Sequence, residues 1–155
     1  MRLPLPSLLL FLLIFLGCAS DDDICISGEA TPRIKIKFKE QGKELQLSRL
    51  ILGVDYGSGE KIIIDRQRVD SVLVPLRVDD AAYTDLFIRT SEDGPKSQVR
   101  IQYTGERSYV SPACGVKKIY KEVASSLVES DPVQGVEQTQ TEINDELPTH
   151  LYLIF

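Results

Sequence analysis

The sequence predicts an all-β protein: an antiparallel β-sandwich or a partly open barrel of about seven to nine short strands. Two observations predict this class. Apolar and polar residues alternate with a period of two in several segments, and turn residues separate these segments at roughly eight- to twelve-residue intervals. Apolar residues at 43% and charged residues at 26% are typical of a globular domain, and 155 residues can bury one core of that kind.

The clearest strand is Arg33-Ile-Lys-Ile-Lys-Phe38, whose alternation places three apolar side chains on a buried face and three basic ones on a solvated face. Pro75 cannot donate a ladder hydrogen bond, so its strand is expected at a sheet edge or a bulge. Residues 116–127 are ambiguous, because their apolar residues fit a short helix while Val-x-x-Ile-Tyr also fits a strand. The remaining strands are predicted over residues 45–54, 61–64, 71–78, 83–90, 98–104 and 151–155.

The first eighteen residues have the pattern of an exported lipoprotein. A start that carries Arg2 precedes an apolar run, Ser7 to Leu16, which is too short to span a membrane and fits the core of a signal peptide. The run ends in Phe15-Leu-Gly-Cys18, which looks like a bacterial lipobox. We therefore expect residues 1–17 to be a lipoprotein signal peptide and Cys18 to carry the lipid. An ordinary signal peptide and a short uncleaved anchor are the alternatives.

An acidic tether is predicted over residues 18–24. Its Ser20-Asp-Asp-Asp23 resembles the surface-export signal of Bacteroidetes-type lipoproteins, and its acidic residues also resemble an outer-membrane retention signal of other bacteria. We expect attachment to the outer membrane, with the cell surface favoured over the periplasmic face. Residues 25–155 are then a single β-rich domain. Removal of residues 1–17 takes away Arg2 and no acidic residue, so the net charge changes from −5 to −6.

Charge and composition exclude several kinds of site. The 23 acidic residues outnumber 18 basic ones, which argues against nucleic-acid binding, and three cysteines with one histidine leave little room for structural zinc. We expect no cofactor.

Catalytic patterns are weak. His150, the one histidine, is expected to be a partly exposed strand residue, and Gly-x-Ser-x-Gly is absent. Tyr56-Gly-Ser-Gly-Glu-Lys61 lacks the ending of a phosphate-binding loop and predicts a hairpin turn. Asp79, Asp80 and Asp85 offer carboxylate oxygens for calcium but lack the regular spacing of a calcium loop, which favours a solvated turn.

Cys25 and Cys114 are left after Cys18 is assigned to the lipid. Two cysteines in an oxidising compartment predict one disulfide. A buried pair of thiols and a redox site are the alternatives. The absence of Cys-x-x-Cys and of a nearby histidine in sequence favours the structural bridge.

Ser71 is a candidate modification site. Asp70-Ser71-Val72 resembles the Bacteroidetes O-glycosylation signal of Asp, Ser or Thr, and an aliphatic residue. In the alternative interpretation, Ser71 simply begins a strand.

Several of these segments together resemble an uncharacterised Bacteroidetes lipoprotein family, domain of unknown function 6452. They are Asp22-Asp-Ile-Cys25 close behind Cys18, Thr31-Pro-Arg33, Val74-Pro-Leu-Arg77, Tyr109-Val-Ser-Pro-Ala-Cys-Gly115, and a terminal strand introduced by His150. Pro112 departs from the basic residue that the resemblance leads us to expect at this position. The resemblance implies a paired Cys25 and Cys114 and a small β-rich exported domain, and it implies no activity.

We therefore expect a lipid-anchored, non-catalytic accessory or binding module of the cell envelope. Its expected contacts are the membrane, through the lipid, and an envelope protein or a glycan, with no nucleic acid. No catalytic or metal-ligating residue is assigned. An envelope hydrolase that uses paired carboxylates and a calcium- or glycan-binding module are the alternatives.

Overall fold

A computed structural model describes residues 30–112 and 114–155. Within this part of the chain, no helix is long and apolar enough to cross a membrane. Its strands are β1 (Ile34–Glu40), β2 (Lys43–Glu44), β3 (Leu47–Asp55), β4 (Glu60–Val69), β5 (Ser71–Val74), β6 (Tyr83–Arg89), β7 (Ser97–Ser111), β8 (Gly115–Glu129), β9 (Gly135–Gln138) and β10 (Leu151–Ile154).

The strands form two sheets that pack as a sandwich. The first sheet has the order β2–β1–β10–β9, with β5 also paired to β1, and the second has the order β4–β3–β6–β7–β8. All pairs are antiparallel except β1 and β10, which run parallel. The predicted all-β sandwich is confirmed. The described chain has ten strands instead of seven to nine, and the two-residue β2 is too short to show an alternation in the sequence.

The core lies between the sheets and follows the alternation of the sequence. Ile34, Ile36 and Phe38 are at most 1% exposed, as their spacing predicts. The second sheet supplies the facing residues, among them Leu50, Leu52, Val54, Leu86, Ile88, Val99 and Ile101. The facing sides of the two sheets are thus buried, which is how a two-layer β domain removes apolar surface from water.

The possible short helix at residues 116–127 is wrong, because this segment is the strand β8. Its helical spacing has a structural cause. The register against β7 shifts at this point, so that Gln102 pairs with Ala124 and Thr104 pairs with Lys121. Glu122, inside this bulge, has a φ of 53°. The extra residue turns both Tyr120 and Val123 toward the core, and a spacing of three imitates a helix.

One long side of the sandwich is closed by bonds between β8 and the segment after β9. Tyr120 and Ile143 exchange backbone hydrogen bonds of 3.1 and 2.8 Å. The Gln138 side chain spans the same seam: its amide donates to the Val123 carbonyl at 2.5 Å, and its oxygen accepts from the Ser125 amide at 2.7 Å. The β8 edge is therefore covered by the chain itself, as edge strands commonly are.

Candidate functional site

The opposite side of the sandwich is open. Among the described strands, β4 pairs only with β3 and β5 only with β1. Asp70 is the single residue between β4 and β5, so the chain changes sheets at this side. A groove of about 600 Å³ lies here, lined by residues of β1, β4 and β5 and their neighbours. We call it the β4–β5 groove.

Three cationic side chains line the β4–β5 groove. Arg33 is fixed by Glu146 through two parallel hydrogen bonds of 2.7 and 2.8 Å, and its backbone amide donates to the same carboxylate at 3.1 Å. These bonds lower the pKa of Glu146 and raise the pKa of Arg33. Lys35 lies on the outward face of β1 and donates from Nζ to the Leu147 carbonyl at 3.1 Å.

The third cation, Arg66 on β4, is exposed and has no ion-pair partner among the described residues. Apolar groups lie between the cations, namely Ile63, Ile64, Val72, Leu73 and Pro75. Guanidinium groups bind carboxylates through paired, charge-assisted hydrogen bonds. The groove is therefore suited to an extended segment that carries both carboxylates and apolar side chains.

Ser71 lies in the β4–β5 groove at the start of β5. It is half-buried, and its hydroxyl donates to the Asp70 carboxylate at 3.1 Å. A sugar attached to this oxygen would occupy the groove. O-glycosylation of Ser71 stays a prediction.

The acidic residues considered for calcium are not gathered around one point. Arg77 bonds to Asp79 at 2.5 and 3.0 Å and lowers the pKa of that carboxyl. Arg100 holds the buried Asp85 through two bonds of 2.8 Å. In residues 30–112 and 114–155, no group of three or more His, Cys, Asp or Glu side chains could hold a metal. Asp79, Asp80 and Asp85 therefore do not form such a cluster.

Among the described residues, the carboxyl groups whose pKa is clearly shifted all have a lowered pKa. Besides Asp79 and Glu146, they are Glu44, bonded by Lys37, and Asp65, bonded by Arg49. A glycosidase acid requires a raised pKa. None of these four groups has the property that the hydrolase alternative needs.

His150 is 1% exposed, so the prediction of a partly exposed strand histidine is wrong. The residue lies directly before β10 and makes two hydrogen bonds with Lys35: its amide donates to the Lys35 carbonyl, and its Nδ1 accepts from the Lys35 amide, each at 2.9 Å. The neutral ring then carries its proton on Nε2, which is buried without a hydrogen-bond partner among the described residues. Burial lowers the pKa of His150. The histidine thus fastens β1 to the segment before β10.

The glycine-rich segment between β3 and β4 is the predicted hairpin turn. The Asp55 carboxylate accepts hydrogen bonds from the amides of Gly57 and Gly59 at 2.7 and 3.0 Å. Both glycines have positive φ, 100° and 97°, which other residues rarely adopt. A carboxylate therefore already occupies the amides that a phosphate would need.

Four tyrosines of the second sheet, on β6, β7 and β8, fall into two kinds. Tyr103 and Tyr120 pack edge-to-face in the core, with ring centroids 4.8 Å apart. Tyr83 is 39% exposed with Arg100 stacked 4.1 Å from its ring centre, and Tyr109 is 68% exposed near the end of β7. The structure therefore does not unite them in one sugar-stacking surface.

Cys114 lies between β7 and β8, where its amide donates to the Ser111 hydroxyl at 3.1 Å. Cys25 and Cys18 lie outside the described residues, as do the signal peptide (1–17) and the tether (18–24). The lipid attachment and the disulfide therefore stay predictions.

Sequence reasoning did not identify the cations of the β4–β5 groove as site residues. Alternation correctly placed Arg33 and Lys35 on the outward face of the first strand. It could not show that Arg66, more than thirty residues away in sequence, lies beside them, because periodicity within a strand carries no information about which strands are neighbours.

Comparison with known proteins identifies a family and no activity. No curated protein and no solved structure matches this chain. A family model described as a family of unknown function, DUF6452, matches residues 49–155, from within β3 to the end of the chain. The match includes the Val74–Arg77 and Tyr109–Gly115 segments that carry the resemblance in the sequence. Because the model matches well over half of its residues, the chain belongs to the DUF6452 family.

Proposed function

We propose that this protein is a non-catalytic binding module, attached to the outer membrane by a lipid on Cys18, and that it binds an acidic, extended segment of another envelope protein. The observation that carries the proposal is the cationic β4–β5 groove on the open side of the sandwich. The proposed anchor is supported by the signal and lipobox pattern of residues 1–18.

The charges around the groove support an acidic ligand. The whole chain has a net charge of −5, and several cations of the second sheet are already bonded to carboxylates, as in Arg49–Asp65 and Arg100–Asp85. Arg66 differs from these, since it forms no ion pair with a described residue. A ligand carboxylate would therefore gain a charge-assisted bond at Arg66 without displacing an internal one.

The binding test compares two charge reversals on β4. A fluorescently labelled peptide of alternating Glu and Val is titrated against the full chain in detergent micelles. Arg66→Glu, in the groove, should weaken binding by roughly ten- to hundredfold, since one lost charged hydrogen bond is worth about 1.5–3 kcal/mol. Lys61→Glu makes the same charge change on the same strand outside the groove and should change the affinity much less.

Two results would contradict peptide binding in the β4–β5 groove. Equal weakening by both variants would show that the peptide responds only to net charge. Unchanged binding by Arg66→Glu would place the peptide elsewhere on the molecule.

The anchor has a separate test. We expect the wild-type chain to incorporate labelled fatty acid and to fractionate with the outer membrane, while Cys18→Ser should lose the label and become extractable without detergent. Protease treatment of intact cells then distinguishes the two faces of the membrane, because only a surface-exposed domain is degraded.

Modification of Ser71 is tested by the mass of the purified chain. A glycan should disappear in Ser71→Ala, and the modified form should bind the acidic peptide more weakly, because the sugar occupies the β4–β5 groove. An unmodified wild-type mass would contradict the prediction.

A further inference from the structure

The β7–β8 hairpin continues past the core as an arm, residues 105–111 and 115–119. Arg107 pairs with Lys118 across the two strands, and Tyr109 pairs with Val116. These four side chains lie on the same face as the buried Tyr103 and Tyr120 farther down, because both strands alternate without a further shift until residue 109. We call the four residues Arg107, Tyr109, Val116 and Lys118 the arm face.

The arm face combines exposed apolar groups with cations. Tyr109 is 68% and Val116 58% exposed, and the neighbouring Val78 is 68% exposed. Arg107 has no ion-pair partner among the described residues, while the Lys118 ammonium donates to the Asp79 carbonyl. An aromatic ring, aliphatic groups and cations on one surface are the composition that proteins present to the interface of a bilayer.

The described chain enters the domain beside the arm face. The Lys118 amide donates to the Thr31 hydroxyl at 3.0 Å, and Thr31, Val78, Arg107, Val116 and Lys118 line one shallow groove. Twelve residues lead from Cys18 to Ala30, and an extended chain spans at most about 3.5 Å per residue, or about 40 Å here. A lipid on Cys18 would therefore hold Thr31, and with it the root of the arm, within about 40 Å of the bilayer.

We propose that the arm face rests on the bilayer that holds the lipid anchor, with the Tyr109 ring at the level of the headgroups and Arg107 and Lys118 next to lipid phosphates. This inference rests on the proposed attachment at Cys18. The chain as a whole is acidic, with a net charge of −5. An anionic surface therefore attracts the arm face against the net repulsion of the acidic chain, which favours an orientation with the arm toward the bilayer.

The absence of tryptophan from the chain permits a direct test. Tyr109→Trp supplies a single fluorophore on the arm face, and Val128→Trp supplies one at the opposite end of β8, where Val128 is 51% exposed. Each full-length lipidated variant is reconstituted in phosphatidylglycerol–phosphatidylcholine vesicles with or without brominated acyl chains. Vesicle flotation and circular dichroism establish attachment and folding for both.

We expect the emission of Tyr109→Trp to shift to shorter wavelength and to be strongly quenched by brominated lipid, with neither change in Val128→Trp, because only the arm face reaches the headgroup level. Adding Arg107→Glu to the Tyr109→Trp chain should reduce the quenching, whereas adding Lys61→Glu should not.

The possible failures are distinguishable. If the chain does not float with the vesicles, both the lipid attachment and the membrane contact are contradicted. If the Tyr109→Trp chain floats and brominated lipid does not quench its emission, the contact of the arm face with the bilayer is contradicted, while the lipid attachment at Cys18 is not. A blue shift without bromolipid quenching would show that protein covers the arm face, and this also overturns the proposal.

Discussion

Thr84 joins three parts of the molecule through one buried hydroxyl group. Its Oγ1 accepts from the Arg77 amide at 3.1 Å and shares a 2.7 Å hydrogen bond with the Tyr103 hydroxyl. The Tyr120 hydroxyl donates to the Arg77 carbonyl at 3.3 Å. The segment after β5 is thus fastened to the root of the β7–β8 hairpin, and burial there raises the pKa values of both tyrosines.

Thr84→Val should lower the free energy of unfolding by about 2–3 kcal/mol, because it keeps the shape of the side chain and leaves the Arg77 amide and the Tyr103 hydroxyl without a buried partner. Thr84→Ser retains the hydroxyl and should be less destabilised. Denaturant unfolding monitored by circular dichroism measures both. If Thr84→Val were more stable than Thr84→Ser, the Thr84 hydroxyl would contribute little to the free energy of unfolding.

His150 makes stability depend on pH. Burial lowers the pKa of His150, so the folded chain binds a proton on this ring less readily than the unfolded chain does. In the unfolded chain the histidine titrates at about pH 6.5. The free energy of unfolding should therefore decrease as pH falls from about 6.5 toward the lower folded pKa. The groups that face His150 are Lys35, Asp145 and Glu146, and the pKa of Glu146 is itself lowered, so its charge persists through this range.

His150→Asn removes this dependence while keeping an acceptor near the position of Nδ1 for the Lys35 amide. We expect the unfolding free energy of the variant to vary much less between about pH 7.5 and pH 5.5 than that of the wild type. Parallel curves for the two proteins would assign the pH dependence to other groups.

At the scale of elements, a strand is predictable when its alternation is uninterrupted. The β1 pattern gives its buried face correctly because every second residue packs against the core. The apolar spacing of β8 wrongly suggests a helix because the bulge at Glu122 adds one residue to the strand. The position of this bulge depends on how β8 pairs with β7, which the sequence of β8 alone does not show. The register shift in β3 between Leu52 and Gly53 is equally invisible in the sequence, although the glycine itself marks a close approach.

Gly53→Ala should destabilise the protein by about 1–3 kcal/mol. A Cβ there would lie 2.7 Å from Cγ and Oε1 of Glu60, and Glu60 is held by Arg89 and Lys96 at 3.0 and 2.8 Å. In a double-mutant cycle, Glu60→Ala should relieve part of this cost. Gly135→Ala is the control, since its Cβ would meet only Ile154 at 3.7 Å. If denaturant unfolding shows that the effects of Gly53→Ala and Glu60→Ala are additive, the steric explanation is contradicted.

At the scale of the whole molecule, the sequence predicts the fold class and not the topology. Alternation and turns suffice for an all-β sandwich. The parallel pairing of β1 with β10 and the β4–β5 groove depend on contacts between distant segments, such as Lys35 with His150 and Arg33 with Glu146. The family match begins at Arg49 and therefore does not include β1, which occupies a central place in the first sheet.

The predicted Cys25–Cys114 disulfide belongs to this scale, because it would close a loop of about ninety residues. In the chain-entropy model such a closure contributes about 4–5 kcal/mol, less any strain. We expect Cys114→Ser to lower the unfolding free energy by a few kcal/mol and to abolish the effect of reducing agent on the melting temperature. Cys18→Ser should change neither the unfolding free energy nor the effect of reducing agent on the melting temperature. Insensitivity of the wild type to reduction would contradict the bridge.

The parallel pairing of β1 with β10 has a consequence for biosynthesis. The centre of the first sheet joins residues 36–39 to residues 151–154, so this sheet cannot form until both segments have left the ribosome. Contacts so distant along the chain also form slowly. The two-layer core therefore stays incomplete until residues 151–154 have been synthesised, and until then the chain can still be threaded through a narrow channel.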